Sequence, residues 1–404
     1  MKKRALIKTM MTTLSCVILS TSITTACSDD DTPAKRTPTP TTNDAVMIKD
    51  QAKRDMIYSL VDLEGDKGRI YEMYYTVDYK LDDAINFGIN GQAKLQQFVG
   101  AYLMDTKGKS VNLSYDAGCS AFAAPDKSSG DFFMGRNFDF NHWDEDSNRI
   151  DIPVIVVHTA PKGGKKSVSF VDGNFVGYKK GFYTAKGNDL SMLMAAPYLL
   201  LDGINEDGFA ISVLKLDGKP TKQEGGTNKT IFTTVAMRML LDRVSTVKEA
   251  TNMLKQYNMC MDTDTASYHF FMADATGDYA IVEYTGADPD NVNPSNMEVL
   301  RDNDTLRCVT NFYVSPSMLE TKFGGNSKHG KNRYDSLRIY LKEYNYKVTF
   351  AEGLGLLQKV AQGPNDDKSS TGFTQWSEMY NLTKRRLTMN LTREWNKTFE
   401  FGVE

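Results

Sequence analysis

The sequence predicts an α+β fold in which strands and helices form separate layers. From Cys119 to Leu216 short β-rich runs dominate, including an expected strand at Met192–Leu201, and turn clusters such as residues 205–208 separate them. Helical patterns return at Thr234–Arg243 and Val247–Gln256, and further strands, including one expected at Arg307–Val314, and helices follow. Runs of strands followed by runs of helices indicate α+β layers, whereas strict alternation would indicate βαβ repeats. No period of 20–50 residues is visible, which excludes a solenoid.

The composition excludes several classes of protein. Of the 404 residues, 41% are apolar and 25% are charged, which is typical of a globular chain of one to three domains. The net charge of −3 argues against nucleic acid as a partner, because such binding relies on a basic surface. The five cysteines include no Cys-x-x-Cys pair and the four histidines no His-Glu-x-x-His. We therefore expect neither a metal site nor a cofactor.

Residues 1–26 have the features of a lipoprotein signal peptide. Four of the first eight residues are positive, and an uncharged stretch from Thr9 to Ala26 follows them. The closing Thr24-Thr25-Ala26-Cys27 resembles a bacterial lipobox, in which Cys27 is lipidated and becomes the mature N-terminus. The acidic run at 28–31 resembles a surface-export signal. We expect a lipid-anchored protein of the bacterial cell envelope, at the outer membrane and exposed at its surface; an ordinary secretory signal is the alternative.

Residues 27–45 predict a solvated tether, since three prolines lie among threonines and charged residues. Loss of the signal peptide leaves 44 Lys and Arg against 51 Asp and Glu, because four of the 48 positive residues lie in it. The mature chain is therefore acidic and has no basic patch to bind anionic lipid. The lipid on Cys27 would be what holds it at the membrane.

Residues 46–118 predict a helical N-terminal segment. Leu95, Phe98, Val99, Tyr102 and Leu103 follow the spacing i, i+3, i+4, i+7, i+8, which places them on one face of a helix. An amphipathic helix of this kind needs a surface to pack against. We therefore expect a packed part of the protein rather than a discarded leader.

Three cysteines remain in the body of the mature chain: Cys119, Cys260 and Cys308. An odd number leaves at least one free thiol in an oxidising compartment. Cys119 follows Gly118, and a hairpin pattern that ends at residues 135–140 comes after it. Cys119 is therefore the candidate nucleophile, while Cys260 and Cys308 are expected to be core thiols that the sequence leaves either paired or free.

The surroundings of Cys119 resemble the start of the mature catalytic chain in N-terminal nucleophile (Ntn) hydrolases. The resemblance is to the branch that contains choloylglycine hydrolase, penicillin V acylase, acid ceramidase and N-acylethanolamine acid amidase, and it covers about residues 119–404. It implies a four-layer αββα sandwich and hydrolysis of linear amide bonds. The motifs that carry it, in family order, are Gly118-Cys119-Ser120-Ala121-Phe122, Gly135-Arg136-Asn137-Phe138-Asp139, Phe271–Asp274 with Ala280–Tyr284, Val309-Thr310-Asn311-Phe312, Asn332-Arg333-Tyr334 and Thr374-Gln375-Trp376-Ser377.

The chemistry explains why a cysteine at a chain terminus is useful. Such a cysteine carries nucleophile and general base together, because its own α-amine can accept the thiol proton directly or through water. The α-amine has a reference pKa of about 7.7, so roughly one amine in six is neutral at pH 7. No histidine is then required, which suits a chain whose four histidines form no obvious site.

The resemblance implies that the chain cuts itself between Gly118 and Cys119. Asn311 would then donate a hydrogen bond to the oxyanion of the tetrahedral intermediate, and Arg333 would support the charge balance of the site. Structural roles are the alternatives: Asn311 satisfying a strand end, and Arg333 as a solvated charge at the start of a helix.

The resemblance also implies that Arg136 favours the Cys119 thiolate and that Asp139 holds the new α-amine. Residues three apart on a regular strand face opposite sides of the sheet. Arg136 and Asp139 can both reach Cys119 only if their strand ends or bulges between them. A structural ion pair on a hairpin is the alternative.

Lys215, Phe312 and Tyr313 are candidate residues of the substrate pocket. Aligning the turn 204–208 with the family places Lys215 where bile salt hydrolases carry an asparagine of the oxyanion region. Its ammonium could pair with a carboxylate on the amine half of the substrate, or could extend into solvent. Phe312 and Tyr313 could line an acyl pocket or belong to a strand core.

The sequence thus predicts a self-processing amidase that cuts linear amide C–N bonds through a thioester on Cys119. Candidate substrates are N-acyl amino acids and N-acylethanolamines, which we rank ahead of conjugated bile acids. The long segment before Cys119 resembles that of acid ceramidase, whose two chains stay associated, so we expect residues 46–118 to stay bound to chain 119–404. An acyltransferase and a lipoprotein that binds its ligand without turnover are the alternatives. The number of subunits is left open.

Overall fold

The chain folds into two β-sheets that pack against each other, with helices on both outer faces. A computed structural model describes this architecture for residues 36–39, 41, 47–65, 67–104, 117–143, 149–261, 266–286, 296–301, 307–363 and 372–403. The predicted signal peptide and Cys27 lie outside the described residues. All described residues belong to one compact unit, residues 35–404.

The first sheet contains nine strands of the described residues. They are β1 (Val61–Asp62), β2 (Ile70–Tyr75), β5 (Val154–Thr159), β6 (Ser167–Asp172), β7 (Leu200–Asn205), β8 (Ala210–Asp217), β11 (Ala266–Ala273), β12 (Tyr279–Thr285) and β13 (Asn296–Leu300). They lie side by side in this same order. Every neighbouring pair is antiparallel except β2 and β5, which run parallel.

The second sheet carries Cys119. Its six described strands are β3 (Ala117–Pro125), β4 (Phe132–Phe140), β14 (Cys308–Val309), β15 (Phe373–Asn381), β16 (Arg386–Leu391) and β17 (Phe399–Gly402). Their order is β14-β3-β4-β15-β16-β17, and all pairs are antiparallel. Two further short strands, β9 (Lys229–Phe232) and β10 (Tyr257–Cys260), pair in parallel with each other.

Helices cover the outer faces of both sheets. The α-helices of the described residues are α1 (Gln51–Ile57), α2 (Leu81–Phe87), α3 (Gln92–Phe98), α4 (Thr233–Arg243), α5 (Val247–Leu254), α6 (Lys331–Glu343) and α7 (Phe350–Val360). Helix α4 packs on β7 and β8, and α5 packs on β12. Helix α6 contacts β3 and β14, and α7 contacts β4 and β15, while β3 meets β8 between the sheets. The predicted α+β class and the four-layer αββα sandwich are therefore confirmed.

The first sheet is buried on both of its faces. Along β5, Ile155 and Val157 belong to the core under the helices, whereas Val154 and Val156 belong to the core between the sheets. Successive side chains of a strand point to opposite faces, so a strand covered on both sides needs an unbroken apolar run. This is why the sequence shows short continuous apolar segments in place of a polar–apolar alternation.

A helical segment was predicted for residues 46–118, but the structure contains strands there as well as helices. Strand β2 lies inside the first sheet, between β1 and β5, and its residues Ile70 and Tyr71 are buried. Aromatic and β-branched residues favour strands, and a short apolar run does not by its spacing distinguish a strand from a helix. The predicted amphipathic helix is present as α3 and a π-helical turn, with Phe98 in the core, although Tyr102 is 44% exposed.

Two expected strands differ in the structure, and three strands were not expected. The expected strand at Met192–Leu201 is a 3₁₀-helix over Ser191–Tyr198, which contains Pro197 and is buried throughout. Pro197 cannot donate to a strand ladder, which disfavours the expected strand. The expected strand at Arg307–Val314 is only the two residues of β14, so Asn311 lies in a loop. Strands β9, β10 and β13 were not predicted.

The last part of the predicted tether is bound to the body of the protein. Thr39 donates its backbone N–H to the Leu60 carbonyl (2.8 Å), and the Thr41 hydroxyl donates to the Tyr183 carbonyl (2.7 Å). Arg36 lies 3.5 Å from the Glu72 carboxylate. These residues therefore differ from the solvated tether that their composition predicts. Within the described part of the chain, no helix combines the length and the hydropathy needed to cross a bilayer.

Candidate active site

Cys119 lies near the start of β3, which is next to the edge strand β14 in the second sheet. Its Cα partner on β4 is Phe138, and the preceding Gly118 is paired with Asp139. The Cys119 side chain is 1% exposed. The nucleophile predicted from the sequence is thus a buried strand residue, with the predicted scissile bond inside the same strand.

Arg136 lies on the same face of the sheet as Cys119. Its Nη2 atom is 3.9 Å from Cys119 Sγ and donates to the Val213 carbonyl at 3.3 Å. Its Nη1 atom forms an ion pair with the Asp202 carboxylate, and both side chains are fully buried. The guanidinium therefore places positive charge beside the sulfur and is anchored by the first sheet.

Asn311 and Arg333 bind the main chain of Cys119. Asn311 Oδ1 accepts the Cys119 backbone N–H at 2.8 Å and an Arg333 Nη2–H at 2.7 Å. Asn311 Nδ2 donates to the Lys215 carbonyl at 2.9 Å. Arg333 Nη1 donates to the Cys119 carbonyl and to Ser120 Oγ. Two distant motifs thus meet at the peptide group that would become the chain terminus.

Asp139 lies on the opposite face of β4 from Arg136. Its carboxylate accepts hydrogen bonds from Thr374 Oγ1 at 2.6 Å and from Gln362 Nε2 at 2.7 Å, and lies 3.6 Å from Arg333 Nη1. Strand β4 is continuous across both residues, and the irregularity in this part of the sheet lies on β15. The bulge that would bring both side chains to Cys119 is therefore absent from β4. The role of Asp139 as partner of the α-amine stays a prediction.

Burial dominates the acidity of the nucleophile in the uncut chain. It raises the pKa of the Cys119 thiol to about 11, and the positive charges of Arg136 and Arg333 only partly oppose this. Burial also lowers the pKa of Arg333, while the Asp139 carboxylate opposes that change. In this state the Cys119 nitrogen is a peptide nitrogen and no base is attached to the residue, so the thiol is held protonated.

Two buried carboxyl groups, those of Asp202 and Glu378, lie next to Arg136, and neither was predicted from the sequence. Glu378 on β15 is the Cα partner of Arg136, and Tyr380 Oη lies 3.0 Å from Glu378 and 3.3 Å from Asp202. Burial raises the pKa of Glu378 well above its ordinary value, and the nearby Asp202 raises it further. Burial also raises the pKa of Asp202, but Arg136 opposes this. Acidic residues inside the apolar runs at 199–204 and 376–382 were the signal available in the sequence.

None of the four histidines is hydrogen-bonded to Cys119, and each has another partner. His142 contacts Asp172, and His158 contacts Glu72. His269 contacts Glu283 and the Thr310 carbonyl, and His329 contacts Asp217. His269 is next to the site, because it binds the carbonyl of Thr310, the residue before Asn311. Both of its ring nitrogens have other partners, so it holds the loop of Asn311 and does not take a proton from the thiol.

A largely apolar pocket opens beside Cys119. Its walls include Lys215, as the sequence analysis expected. The apolar lining is formed mainly by Phe138, Phe140, Phe175, Leu199, Leu201 and Val213. The polar lining consists of Lys215, Thr233, Thr234 and Tyr268. A wider cleft of about 640 Å³, between residues 75–83 and 160–164, contains none of the predicted site residues.

Phe312 and Tyr313 do not line this pocket, which corrects the prediction for them. Phe312 packs edge-on against Tyr334, with ring centroids 5.0 Å apart, in the core between the sheet and α6. Tyr313 packs with Leu216 and Met318 in a small separate cluster. Both residues lie in the loop that follows β14, which ends at Val309, and neither is among the lining residues of the pocket.

The two thiols outside the site form no disulfide with each other. Cys260 and Cys308 are both buried, as Cys119 is, and each of the three is a thiol. Cys260 Sγ instead contacts the Asn90 carbonyl at 2.8 Å. Across the described residues, no group of three or more His, Cys, Asp or Glu side chains is arranged to hold a metal ion.

Comparison with known proteins places the chain in a family. The sequence profile of the linear amide C-N hydrolases, choloylglycine hydrolase family, matches residues 119–327. Among solved structures, penicillin V acylase from Agrobacterium tumefaciens is similar, with a TM-score of 0.47 and 15% identity over 70% of this chain and 86% of that one. A mutant of conjugated bile acid hydrolase from Clostridium perfringens has a TM-score of 0.44 and 13% identity over 70% and 92%. No curated protein sequence matches the chain.

The profile begins at Cys119, the residue on which the predicted motifs converge, and it covers more than half of the chain. The protein therefore belongs to the choloylglycine hydrolase family of linear amide C–N hydrolases.

Proposed function

We propose that the protein cuts itself between Gly118 and Cys119 and then hydrolyses N-acyl amides through a thioester on Cys119. One observation carries this proposal. Arg136 approaches the sulfur of Cys119, Asn311 binds its nitrogen and Arg333 binds its carbonyl oxygen. Any buried backbone group needs a hydrogen-bond partner, and in a sheet the neighbouring strand usually supplies it. At Cys119 the partners are instead side chains from two distant motifs, and a third charged side chain lies beside the sulfur, a combination that suits a nucleophile at a chain terminus.

The processing step uses the same sulfur as the later reaction. Cys119 Sγ attacks the Gly118 carbonyl carbon, the C–N bond breaks, and the thiol proton goes to the departing Cys119 nitrogen. Water then hydrolyses the thioester at Gly118 and releases the thiol. The new α-amine starts at Asn311 Oδ1, the acceptor that holds the Cys119 N–H before cleavage.

Turnover follows the same chemistry with an external amide. The neutral α-amine takes the thiol proton, the thiolate attacks the acyl carbonyl carbon, and the protonated leaving amine departs. Water resolves the acyl-thioester to a free acid. Arg136 stabilises the thiolate by its charge, and Asn311 Nδ2 is our candidate donor to the oxyanion once it turns from the Lys215 carbonyl.

The pocket supports a substrate with an apolar acyl group. Five aromatic or aliphatic side chains from β4, β7 and the segments around residues 175 and 199 surround the space next to the thiol. Pockets of this type bind ligands mainly by burying apolar area and orient them with a few polar groups. We therefore keep N-acyl amino acids and N-acylethanolamines ahead of conjugated bile acids as candidate substrates.

We further propose that the two chains stay associated after cleavage. Strand β2 of the N-terminal segment pairs with β5 of the catalytic chain over six residues. Arg69 contacts Glu394, and Lys397 contacts Glu64, so ion pairs also cross between the two parts. Separating them would expose a strand edge and leave buried charges unpaired.

We propose a lipid anchor on Cys27 and an envelope location on the sequence pattern of residues 1–31 alone. The test is mass spectrometry of the membrane fraction. A diacylglyceryl adduct on Cys27 is expected, and an unmodified chain that begins elsewhere would contradict the anchor.

Intact mass spectrometry of purified protein tests the enzymatic proposal. We expect a chain that begins Cys-Ser-Ala-Phe, and loss of one acyl group from each N-acyl amide that is cut. The variant Cys119→Ala should stay uncut and inactive. Added free amine distinguishes an acyltransferase, because the acyl group would then appear on that amine. A binding lipoprotein would retain its ligand after its thiol is alkylated and would cut no amide.

A further inference from the structure

The polar wall of the pocket has the features of an anion-binding site. We infer that Lys215, Thr234 and the first turn of α4 bind a carboxylate on the amine half of the substrate, so that N-acyl amino acids are the preferred substrates. This inference rests on the proposed amidase function and names its substrate class. Three observations carry it.

The first observation is the position of the N-terminus of α4. This helix of eleven residues begins at Thr233, which lines the pocket. The preceding Phe232 has an apolar side chain, and no side chain caps the helix. The first N–H groups of a helix lack partners within it and carry partial positive charge, so they attract anions.

The second observation is a buried hydroxyl at the same place. Thr234 is 7% exposed and lines the pocket, and its Oγ1 atom has no hydrogen-bond partner among the described residues. The neighbouring Thr233 differs, because its Oγ1 donates to the Cys260 carbonyl at 3.3 Å. Buried hydroxyl groups are rarely left without a partner, and an anionic ligand would supply the acceptor that Thr234 lacks.

The third observation is Lys215, whose side chain is 11% exposed. Its Nζ atom lies 3.6 Å from Asp217 Oδ1, and that carboxylate also contacts His329 Nδ1 at 3.2 Å. Asp217 is 41% exposed, so the ammonium lies toward the open end of the pocket. A substrate carboxylate can share the ammonium with Asp217, which His329 continues to bind.

The position of Lys215 relative to Cys119 indicates which half of the substrate carries the anion. The Lys215 carbonyl accepts a hydrogen bond from Asn311 Nδ2, and Asn311 Oδ1 accepts the Cys119 N–H. Only one side chain thus separates the backbone of Lys215 from that of Cys119. Because Lys215, Thr234 and Cys119 line the same pocket, we assign a carboxylate held at this wall to the amine half of the substrate, as in an N-acyl amino acid, while the apolar wall takes the acyl chain.

The test compares two substrates that differ only in this charge. Decanoyl-glycine and decanoyl-glycinamide have the same acyl chain, and kcat/KM is measured for both in the wild-type protein, Thr234→Val and Lys215→Met. We expect the glycine compound to be preferred by about tenfold or more, the scale of one hydrogen bond to a charged group. Each variant should reduce this ratio by about three- to tenfold.

Lys222→Met is the matched control, because Lys222 is exposed and pairs with Glu224 away from the pocket. Its ratio should equal that of the wild type. A general defect in folding would lower kcat/KM for both substrates alike and leave their ratio unchanged. A wild-type ratio near one, or a ratio that neither Thr234→Val nor Lys215→Met alters, would overturn the inference.

A separate measurement distinguishes failure of the anion site from failure of the amidase function. If neither compound is cut, the amidase function is wrong. The dissociation constants of the two compounds, measured by calorimetric titration of the same proteins, then replace kcat/KM in the comparison. Tighter binding of decanoyl-glycine that depends on Thr234 and Lys215 then supports the anion site on its own. Equal affinities, or no binding of either compound, would overturn it.

Discussion

The backbone nitrogen of Cys119 donates a hydrogen bond to the Oδ1 atom of Asn311, 2.8 Å away. The same oxygen accepts from Arg333 Nη2, so two donors determine which way the amide of Asn311 faces. Its Nδ2 atom therefore points to the Lys215 carbonyl on the neighbouring sheet. One side chain thereby connects Cys119, the predicted chain terminus, with the second arginine of the site and the pocket wall.

Asn311→Ala is expected to reduce both turnover and stability. Loss of an oxyanion donor lowers kcat by about a hundred- to a thousandfold. The substitution also removes the acceptor to which the buried Cys119 N–H and Arg333 Nη2 donate, which costs about 1–3 kcal/mol in the free energy of unfolding. Chemical unfolding and kcat measured on one preparation check this. Near-normal turnover in a destabilised protein would assign Asn311 a structural role only.

Glu378→Gln and Asp202→Asn are expected to differ sharply in stability. Burial and the neighbouring Asp202 raise the pKa of Glu378 well above its ordinary value, so glutamine replaces a neutral group with another neutral group. Asp202→Asn instead leaves the fully buried Arg136 without its anionic partner, a change that typically costs about 3–5 kcal/mol. Guanidinium unfolding of both variants is the measurement. Equal losses in the two variants would show that the negative charge is not localised on Asp202.

The ion pairs between the two predicted chains should make their association sensitive to acid. Burial of Glu64 would raise its pKa, but hydrogen bonds from Arg69 and Lys397 more than offset this and lower it from 4.5 to about 2. A carboxyl whose pKa is lower in the folded state stabilises the fold above its unfolded pKa. This contribution is therefore complete above about pH 4.5 and is lost as the pH falls toward 2.

The variant Glu64→Gln should lose this part of the acid dependence. Melting temperature against pH, measured on cut wild-type protein and on the variant, checks the prediction. Gel filtration of the cut protein shows whether the chains separate over the same range. Parallel curves for the two proteins between pH 5 and 2 would mean that Glu64 does not couple the chains to pH.

Three free thiols are expected in a protein that begins at residue 28. Cys119, Cys260 and Cys308 form no disulfide, and burial raises the pKa of Cys308 above its ordinary value. Titration with a disulfide reagent in denaturant, without reduction, should therefore count three thiols. A count of one would indicate a disulfide between Cys260 and Cys308 and would contradict the structure.

Much of the fold could be predicted from local sequence patterns. The hairpin 268–284, the helices at 233–254 and the closing strands follow apolar periodicity, turn residues and the N-cap Thr246, whose Oγ1 accepts the Glu249 N–H. Strand β2 and the 3₁₀-helix at Ser191–Tyr198 could not be predicted in this way. A short apolar run is compatible with a strand or a buried helix, and only its neighbours in the sheet select between them.

Local sequence patterns were enough to predict the chemistry proposed for this protein: a cysteine after glycine at the start of a hairpin, with arginine and asparagine in motifs that recur in family order. The same patterns predicted Lys215 as a pocket residue. Which atoms meet depends on the fold, because the partners of Cys119 lie as far as 214 residues away along the chain. In the folded chain Asp139 lies on the opposite face of its strand from Arg136, and Phe312 and Tyr313 lie outside the pocket. Three residues that were not predicted lie at or behind the site: Asp202, Glu378 and Thr234. Residue type limits what a side chain can do, whereas strand pairing and sheet packing set its neighbours, and no local pattern records those contacts.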